Sequence, residues 1–338
     1  MADDTLKYMR SDTARSPLAK VRTRDDPRLA ARMIALDGDP KEDIVRTVLV
    51  GVSDDRGVGL FGGRLGAIEG PQRFRDYFWR MHAPEAIKAG SILDAGDMVS
   101  AARTNETHAR LTEVIDVLRD RFNSARFVVV GGGHDHVYGE IMGLVRWLKR
   151  SAEDERKLRV AHVCIDSRPN VHLASGEPHA GAGVRRLLLE SAARLDGGSL
   201  VVWGVQRADS ADKHLQFLQS QGATTVLWEE IERDPRAAAA ELCAAIQALG
   251  DGHDAVTISV DMAAFSQSVA PGVSEPSPVG VHPSAVLQAV TTLRQLDCPT
   301  QVGIYGLNPR YDRDGATARL AARIAWTYTT ARPKAAET

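Results

Sequence analysis

Apolar, β-branched runs alternate with helix-period stretches about eight times along the 338 residues, and this alternation limits the possible folds more than any other feature. The runs fall at 46–52, 91–93, 127–131, 158–165, 200–205, 224–228, 255–260 and 301–305. Helical patterns stand between and after them, at 104–122, 137–148, 180–195, 211–221, 235–249, 283–296 and up to about 330. Strands apolar at nearly every position are buried on both faces. The expected fold class is therefore α/β: three layers, with a mostly parallel central sheet of about eight strands between two layers of helices. No linker-like composition interrupts the alternation. One domain is expected over 45–330, with an N-terminal arm at 1–44, partly disordered, and a frayed tail at 331–338. Within the arm, 27–36 suits a short helix. Asp234 and Asp314 suit N-caps of the last helices.

The run 127–131 ends in Gly131-Gly132-Gly133-His134. Open α/β sheets place their ligands at the carboxyl ends of strands, and glycines let the backbone turn tightly there. Two later runs end in Asp166 and Asp261. One imidazole and two carboxylates delivered by three strand ends suit a divalent metal. The plain alternatives are a core histidine bonded to backbone and two loop-capping aspartates. His136, His172 and His179 lie near the same edge in sequence; one could stand in as a ligand, but a surface or loop position is the simpler reading for each. Asp94 and Asp97 suit loop-structuring acids, and Trp147, Trp203 and Trp228 suit the core.

A net charge of −2 gives no bulk attraction to nucleic acid. No run approaches membrane-spanning length, and the first residues form no apolar leader, so a cytoplasmic protein is expected. Cys164, Cys243 and Cys298 lack metal or redox spacing; Cys164 and Cys243 read as buried thiols. Neither Gly-x-Gly-x-x-Gly after the first strand nor Gly-x-x-x-x-Gly-Lys occurs, which argues against dinucleotide and P-loop folds. The glycine- and arginine-rich loop 53–70 is long enough to be functional. Its Arg56 and Arg64 would suit an anionic small molecule; a solvated glycine loop is the alternative.

Over roughly residues 20–330 the chain resembles the ureohydrolases of the arginase superfamily, and among them formimidoylglutamase. The resemblance is carried by Ser53-Asp54-Asp55-Arg56-Gly57-Val58, Gly62-Gly63-Arg64-Leu65-Gly66-Ala67 and Glu69-Gly70-Pro71. It continues through 131–134, Ser259-Val260-Asp261, 269–274, Leu307-Asn308-Pro309, Tyr311-Asp312 and Thr317-Ala318. It implies a hydrolase with two Mn²⁺ ions sharing bridging carboxylates and holding a hydroxide between them. His134 matches the first metal's histidine, and Asp166 and Asp261 match the bridging pair. Family members are often oligomers, so a homo-oligomer is implied by analogy.

Several matching positions depart from the pattern. Where Asp-x-His-x-Asp is expected, the chain reads Asp166-Ser167-Arg168-Pro169-Asn170. Where Asp-x-Asp is expected, it reads Asp261-Met262-Ala263. The acid that binds the amidine falls nearest Gly306, and the Ser-Gly-Thr turn appears as Ala180-Gly181-Ala182. Arginine offers no lone pair and alanine no donor atom, so the second metal keeps too few ligands. The first retains His134, Asp166, Asp261 and the neutral oxygen of Asn170. No metal or one Mn²⁺ is therefore expected, not a full binuclear site. Arg168 is expected to replace the second metal as the cation between Asp166 and Asp261. Arg64, Asp135, His136, Ala263 and Gly306 are expected around the pocket. The resulting expectation is a pseudoenzyme with a ligand-binding, regulatory or assembly role. The alternative is a divergent single-metal hydrolase of linear amidine or amide C–N bonds.

Overall fold

The computed structural model describes residues 5–14, 26–151, 158–189, 195 and 197–332. Ten strands form one sheet: β1 (Met9–Arg10), β2 (Met33–Ala35), β3 (Thr47–Val52), β4 (Ile92–Met98), β5 (Arg126–Gly131), β6 (Val160–Ile165), β7 (Leu200–Val205), β8 (Thr224–Leu227), β9 (Ala255–Asp261) and β10 (Thr300–Tyr305). Their order is β1-β4-β3-β5-β10-β9-β6-β7-β8, with β2 also on β4. Only β1 pairs antiparallel.

The α-helices among the described residues are α1 (Arg56–Leu60), α2 (Gly70–Phe78), α3 (Thr104–Arg121), α4 (Val137–Ser151), α5 (Gly183–Leu189), α6 (Asp212–Ser220), α7 (Trp228–Ile231), α8 (Pro235–Gly252), α9 (Pro283–Arg294) and α10 (Ala316–Thr330). Residues of α2, α8, α9 and α10 pack one face of the sheet, around Phe74, Leu242, Val290 and Ala321. Residues of α3, α4, α5 and α6 pack the other, around Leu111, Leu144, Val184 and Leu218. Every residue of β3, β6, β7 and β10 is buried, which is why their apolar runs do not alternate.

The two strands beyond the expected eight lie in the region read as an arm. Residues 33–35 are β2 rather than part of a helix, and 29–31 form a single 3₁₀ turn. A segment this short does not sustain a helical nucleus, and the outer edge of β4 offers it a ladder instead. Leu29 is fully buried, so this stretch belongs to the domain. The rest of the expected arm, at 1–4 and 15–25, and the tail at 333–338 lie outside the described residues.

Other boundaries differ for local reasons. Asp94 and Asp97 are not in a loop: β4 runs through both, and the buried Arg75 guanidinium bonds each of them. The helix expected over 180–195 opens as a 3₁₀ turn at Ala180–Ala182 and is α-helical to Leu189; 190–194 lie outside the described residues. The last helix is capped by Asp312 rather than Asp314. Gly315 adopts a left-handed conformation, and the Asp312 carboxylate accepts from the Thr317 and Ala318 N–H groups at 2.9 and 3.0 Å. Asp234 caps α8 as expected. Trp147 and Trp203 are buried, Trp228 partly so; Cys164 is buried and Cys243 only half-buried.

The inner strands β5, β10, β9 and β6 pair parallel and end level with one another: Val130 faces Ile304, Tyr305 faces Asp261, and Ile165 faces Val260. The residues that follow them are therefore delivered to a single carboxyl edge.

Candidate metal centre

The glycines after β5 are required by close approach. A side chain on Gly132 would place its Cβ 1.8 Å from the Asp54 carbonyl oxygen, on the loop that follows β3. The chain can then turn directly into His134, which opens the 3₁₀ turn leading to α4.

Four expected site residues, His134, Asp166, Asn170 and Asp261, meet at this edge. His134 Nδ1 lies 2.8 Å from Asp166 Oδ2 and 3.4 Å from Asp261 Oδ2. Asp166 also accepts from the Arg168 backbone N–H at 3.1 Å and from Asn170 Nδ2 at 2.6 Å. Asn170 reaches back because its backbone is left-handed, with φ of 52°. Asp261 accepts from the Ala263 N–H at 2.8 Å. The His134 ring stacks on Tyr305, with centroids 5.2 Å apart.

The electrostatics follow from this packing. Burial opposes a charge on His134, but Cys164 and the two aspartates around it outweigh burial and hold it protonated well above the usual range. Burial and the neighbouring Asp261 charge raise Asp166. Asp261 is lowered: burial opposes its charge, but the bonds and charge of His134 prevail. The cation that balances the aspartates is thus His134 itself.

Arg168 does not take the position expected of it. Its guanidinium pairs with Glu275, on the loop after β9, rather than with Asp166 or Asp261. Both side chains line the cleft and are about one-third exposed, at 28% and 33%. Pairing there costs less desolvation than entering the space between two aspartates already served by an imidazole, an amide and backbone N–H groups. Ala263 contributes only its N–H. Gly306 has φ of +78°, and a Cβ there would lie 2.3 Å from Asp261 Oδ1, so no acidic side chain fits at that position without displacing the aspartate.

Other expected pocket residues are occupied elsewhere. The Arg64 guanidinium donates to the carbonyls of Ser274 and Val273 at 2.7 and 2.8 Å and lies over the Tyr311 ring, so it fastens two loops together. Arg56 is bound to Asp54 and to the Ala101 and Ala102 carbonyls. Neither arginine lines the cleft; both guanidiniums are engaged in loop contacts. Asp135 and His136 are buried but do not line the cleft.

Among the described residues, His108, Asp135 and His136 form a second cluster close enough to hold a metal. Arg186 Nη1 donates to His108 Nδ1 at 2.8 Å, which leaves the proton on Nε2, donated to Asp135 at 2.8 Å. His108 therefore has no lone pair to offer Asp135's side. His136 Nδ1 donates to the Gly133 carbonyl at 2.8 Å.

The cleft is open to solvent and spans about 520 Å³ with its solvent-filled mouth included. Val58 and Phe61 form its apolar wall; His134, Asp166, Arg168, Asp261 and Glu275 are its charged groups. His179 and His172 pack on Phe61 with ring centroids at 5.1 and 4.8 Å. Burial and the nearby His214 charge press His172 down to about 4. Glu275, Phe61 and Tyr305 escaped sequence reasoning, since nothing in their spacing marks them. His162, a polar residue inside an apolar run, carried a readable signal.

A profile described as the Arginase family matches residues 45–330. A formimidoylglutamase of Cupriavidus pinatubonensis is 31% identical over 288 residues, covering 82% of this chain and 85% of the relative. One from Geobacillus kaustophilus is 29% identical over 276 residues, covering 81% and 80%. The crystal structure of formimidoylglutamase from Bacillus subtilis superimposes with a TM-score of 0.80 at 19% identity, covering 94% of this chain and 95% of that one. That of Trypanosoma cruzi formiminoglutamase with Mn²⁺ gives 0.75 at 25% identity, covering 90% and 98%. Among the described residues no helix is long and apolar enough to cross a membrane. The chain belongs to the arginase family.

Proposed function

We propose that this chain does not run two-metal hydrolysis, and that its cleft binds a small ligand around at most one divalent ion, in a ligand-binding, regulatory or assembly role. One observation carries this reading. The second-metal positions hold Arg168, paired with Glu275, and Ala263, while Gly306 has no room for an acid. The losses remove metal and amidine recognition together.

The first seat is different, because its donors fit a hard divalent cation. His134 Nδ1, Asp166 Oδ2 and Asp261 Oδ2 converge, and turning the Asn170 amide would present its oxygen. An ion bound there would polarise an oxygen of water or substrate. His134 and both aspartates would orient it, and Tyr305 would hold the imidazole plane. A second reading, a single-metal hydrolase of C–N bonds, is favoured by that retained cluster and by the enzyme names of the relatives.

Calorimetry with Mn²⁺, combined with assays for formamide, urea or ammonia release, tests both. At most one ion per chain and no turnover is expected. One ion with turnover selects the second reading. Two ions, with turnover above about 1 per second on an amidine or guanidine substrate, overturns the proposal.

A further inference from the structure

His134 is the end of a buried chain of polar side chains that runs away from the cleft between β9 and β6. Its Nε2 lies 2.9 Å from Ser259 Oγ. Ser259 Oγ lies 3.0 Å from His162 Nε2, and His162 Nδ1 lies 2.8 Å from Thr257 Oγ1. Thr257 donates its hydroxyl to the Ala161 carbonyl at 3.3 Å. All four side chains are buried, so no bulk water competes for these bonds.

The far end sets the direction of every bond. Thr257 has one hydroxyl hydrogen, directed at Ala161, so its oxygen accepts from His162 Nδ1–H. Burial and the His134 charge press His162 down to about 3, so the ring is neutral and its Nε2 is bare. That bare nitrogen accepts the Ser259 hydroxyl. Ser259 has no second hydrogen, so its oxygen accepts from His134 Nε2–H. The nitrogen left facing Asp166 and Asp261 is Nδ1.

We propose that His162 is a positioning residue: acting through Ser259, it keeps a proton on His134 Nε2 and thereby dedicates Nδ1 to the cation seat between Asp166 and Asp261. For an ion in that seat this rests on the single-ion reading above. A ligating imidazole needs its other nitrogen held by an acceptor, and such partners set both its orientation and its tautomer. The sequence supports a specific role. His162 stands among Val160, Ala161, Val163 and Cys164, all buried, where an apolar side chain would pack without any need of partners.

The test uses the full chain with ¹⁵N-labelled histidine, and Mn²⁺ as the probe. In the metal-free protein near neutral pH, His162 is expected to show a protonated Nδ1 and a bare Nε2, and His134, an imidazolium in that state, protons on both nitrogens, Nε2–H among them. A proton on His162 Nε2, or a bare His134 Nε2, overturns the proposal. In calorimetry His162→Phe should weaken Mn²⁺ binding about 10–100-fold, whereas His162→Gln should stay within about threefold of the parent. Glutamine can donate to Thr257 and accept from Ser259; phenylalanine can do neither. Equal Mn²⁺ affinity in the parent and His162→Phe also overturns it. If the parent binds no Mn²⁺, the single-ion reading fails, and the ¹⁵N spectra alone decide the role of His162.

Discussion

Arg168 serves its two neighbours with different atoms: its backbone N–H lies 3.1 Å from Asp166 Oδ1, while its guanidinium is paired with Glu275 in the cleft wall. The aspartate therefore depends on the loop's backbone, not on the arginine's charge. Arg168→Ala keeps the N–H and removes only a partly exposed ion pair, so the stability lost should be under about 1 kcal/mol. Urea unfolding of the variant without metal measures it. A loss of about 3–5 kcal/mol would mean that the guanidinium neutralises the buried aspartates after all.

Gly306 is where an acid would be needed to bind an amidine. Its φ of +78° and the 2.3 Å approach of Asp261 Oδ1 to a Cβ there forbid one. Gly306→Asp should consequently cost at least about 1–3 kcal/mol in urea unfolding, from backbone strain alone. It should add no amidine hydrolysis. An active, fully stable Gly306→Asp variant would show that Asp261 yields and that the pocket is more adaptable than its geometry implies.

The carboxyl-edge cluster was legible in the sequence because each member follows an unbroken apolar strand. His134 after β5, Asp166 after β6 and Asp261 ending β9 needed only the rule that such ends converge. The Arg168 pairing was not legible. It depends on Glu275, which lies in the proline-rich loop after β9 with no periodicity to fix its direction. Asp94 and Asp97 were misplaced for a related reason. Two carboxylates interrupt the apolar pattern of β4, and only the distant Arg75 makes their burial tolerable. The edge strands β1 and β2 are too short to carry a period-2 signal and exist only because β4 offers them a ladder.

Glu140 gives a pH dependence that can be read separately from the metal seat. Burial raises its carboxyl to about 7, against hydrogen bonds from Tyr305 and Gln301 and the charges of His134 and Arg119. Its folded value therefore lies above its unfolded value. Between about pH 4.5 and 7 the folded protein holds a proton that the unfolded chain has released, so this group's contribution to stability is lost as pH rises through that window. Glu140→Gln cannot titrate. Urea unfolding at both ends of the window should show the parent losing stability relative to Glu140→Gln as pH rises. A gap independent of pH would rule the raised carboxyl out.

Arg75 is the counterpart of Arg168 in which burial is complete. Its guanidinium, 1% exposed, donates to both Asp94 oxygens at 2.8 and 3.0 Å and to Asp97 Oδ1 at 2.5 Å. Burial opposes its charge, yet the two carboxylates outweigh burial and hold it protonated above its ordinary value. Those carboxylates have secondary donors, the Gly96 N–H and the Ser53 hydroxyl, but no other cation bonds either of them among the described residues. They sit within β4, beside β3, where a Cβ on Gly51 would already be 1.8 Å from Asp97 Oδ1. Arg75→Met keeps most of the stem's packing and strands two buried negative charges, which should cost about 3–5 kcal/mol. Adding Asp94→Asn and Asp97→Asn removes those charges and should recover much of the loss. Urea unfolding of the single and triple variants decides it. If Arg75→Met alone falls within about 1 kcal/mol of the parent, the triad is not an anchor between α2 and β4. If the triple variant is no better than the single one, the loss comes from packing rather than from unpaired charge.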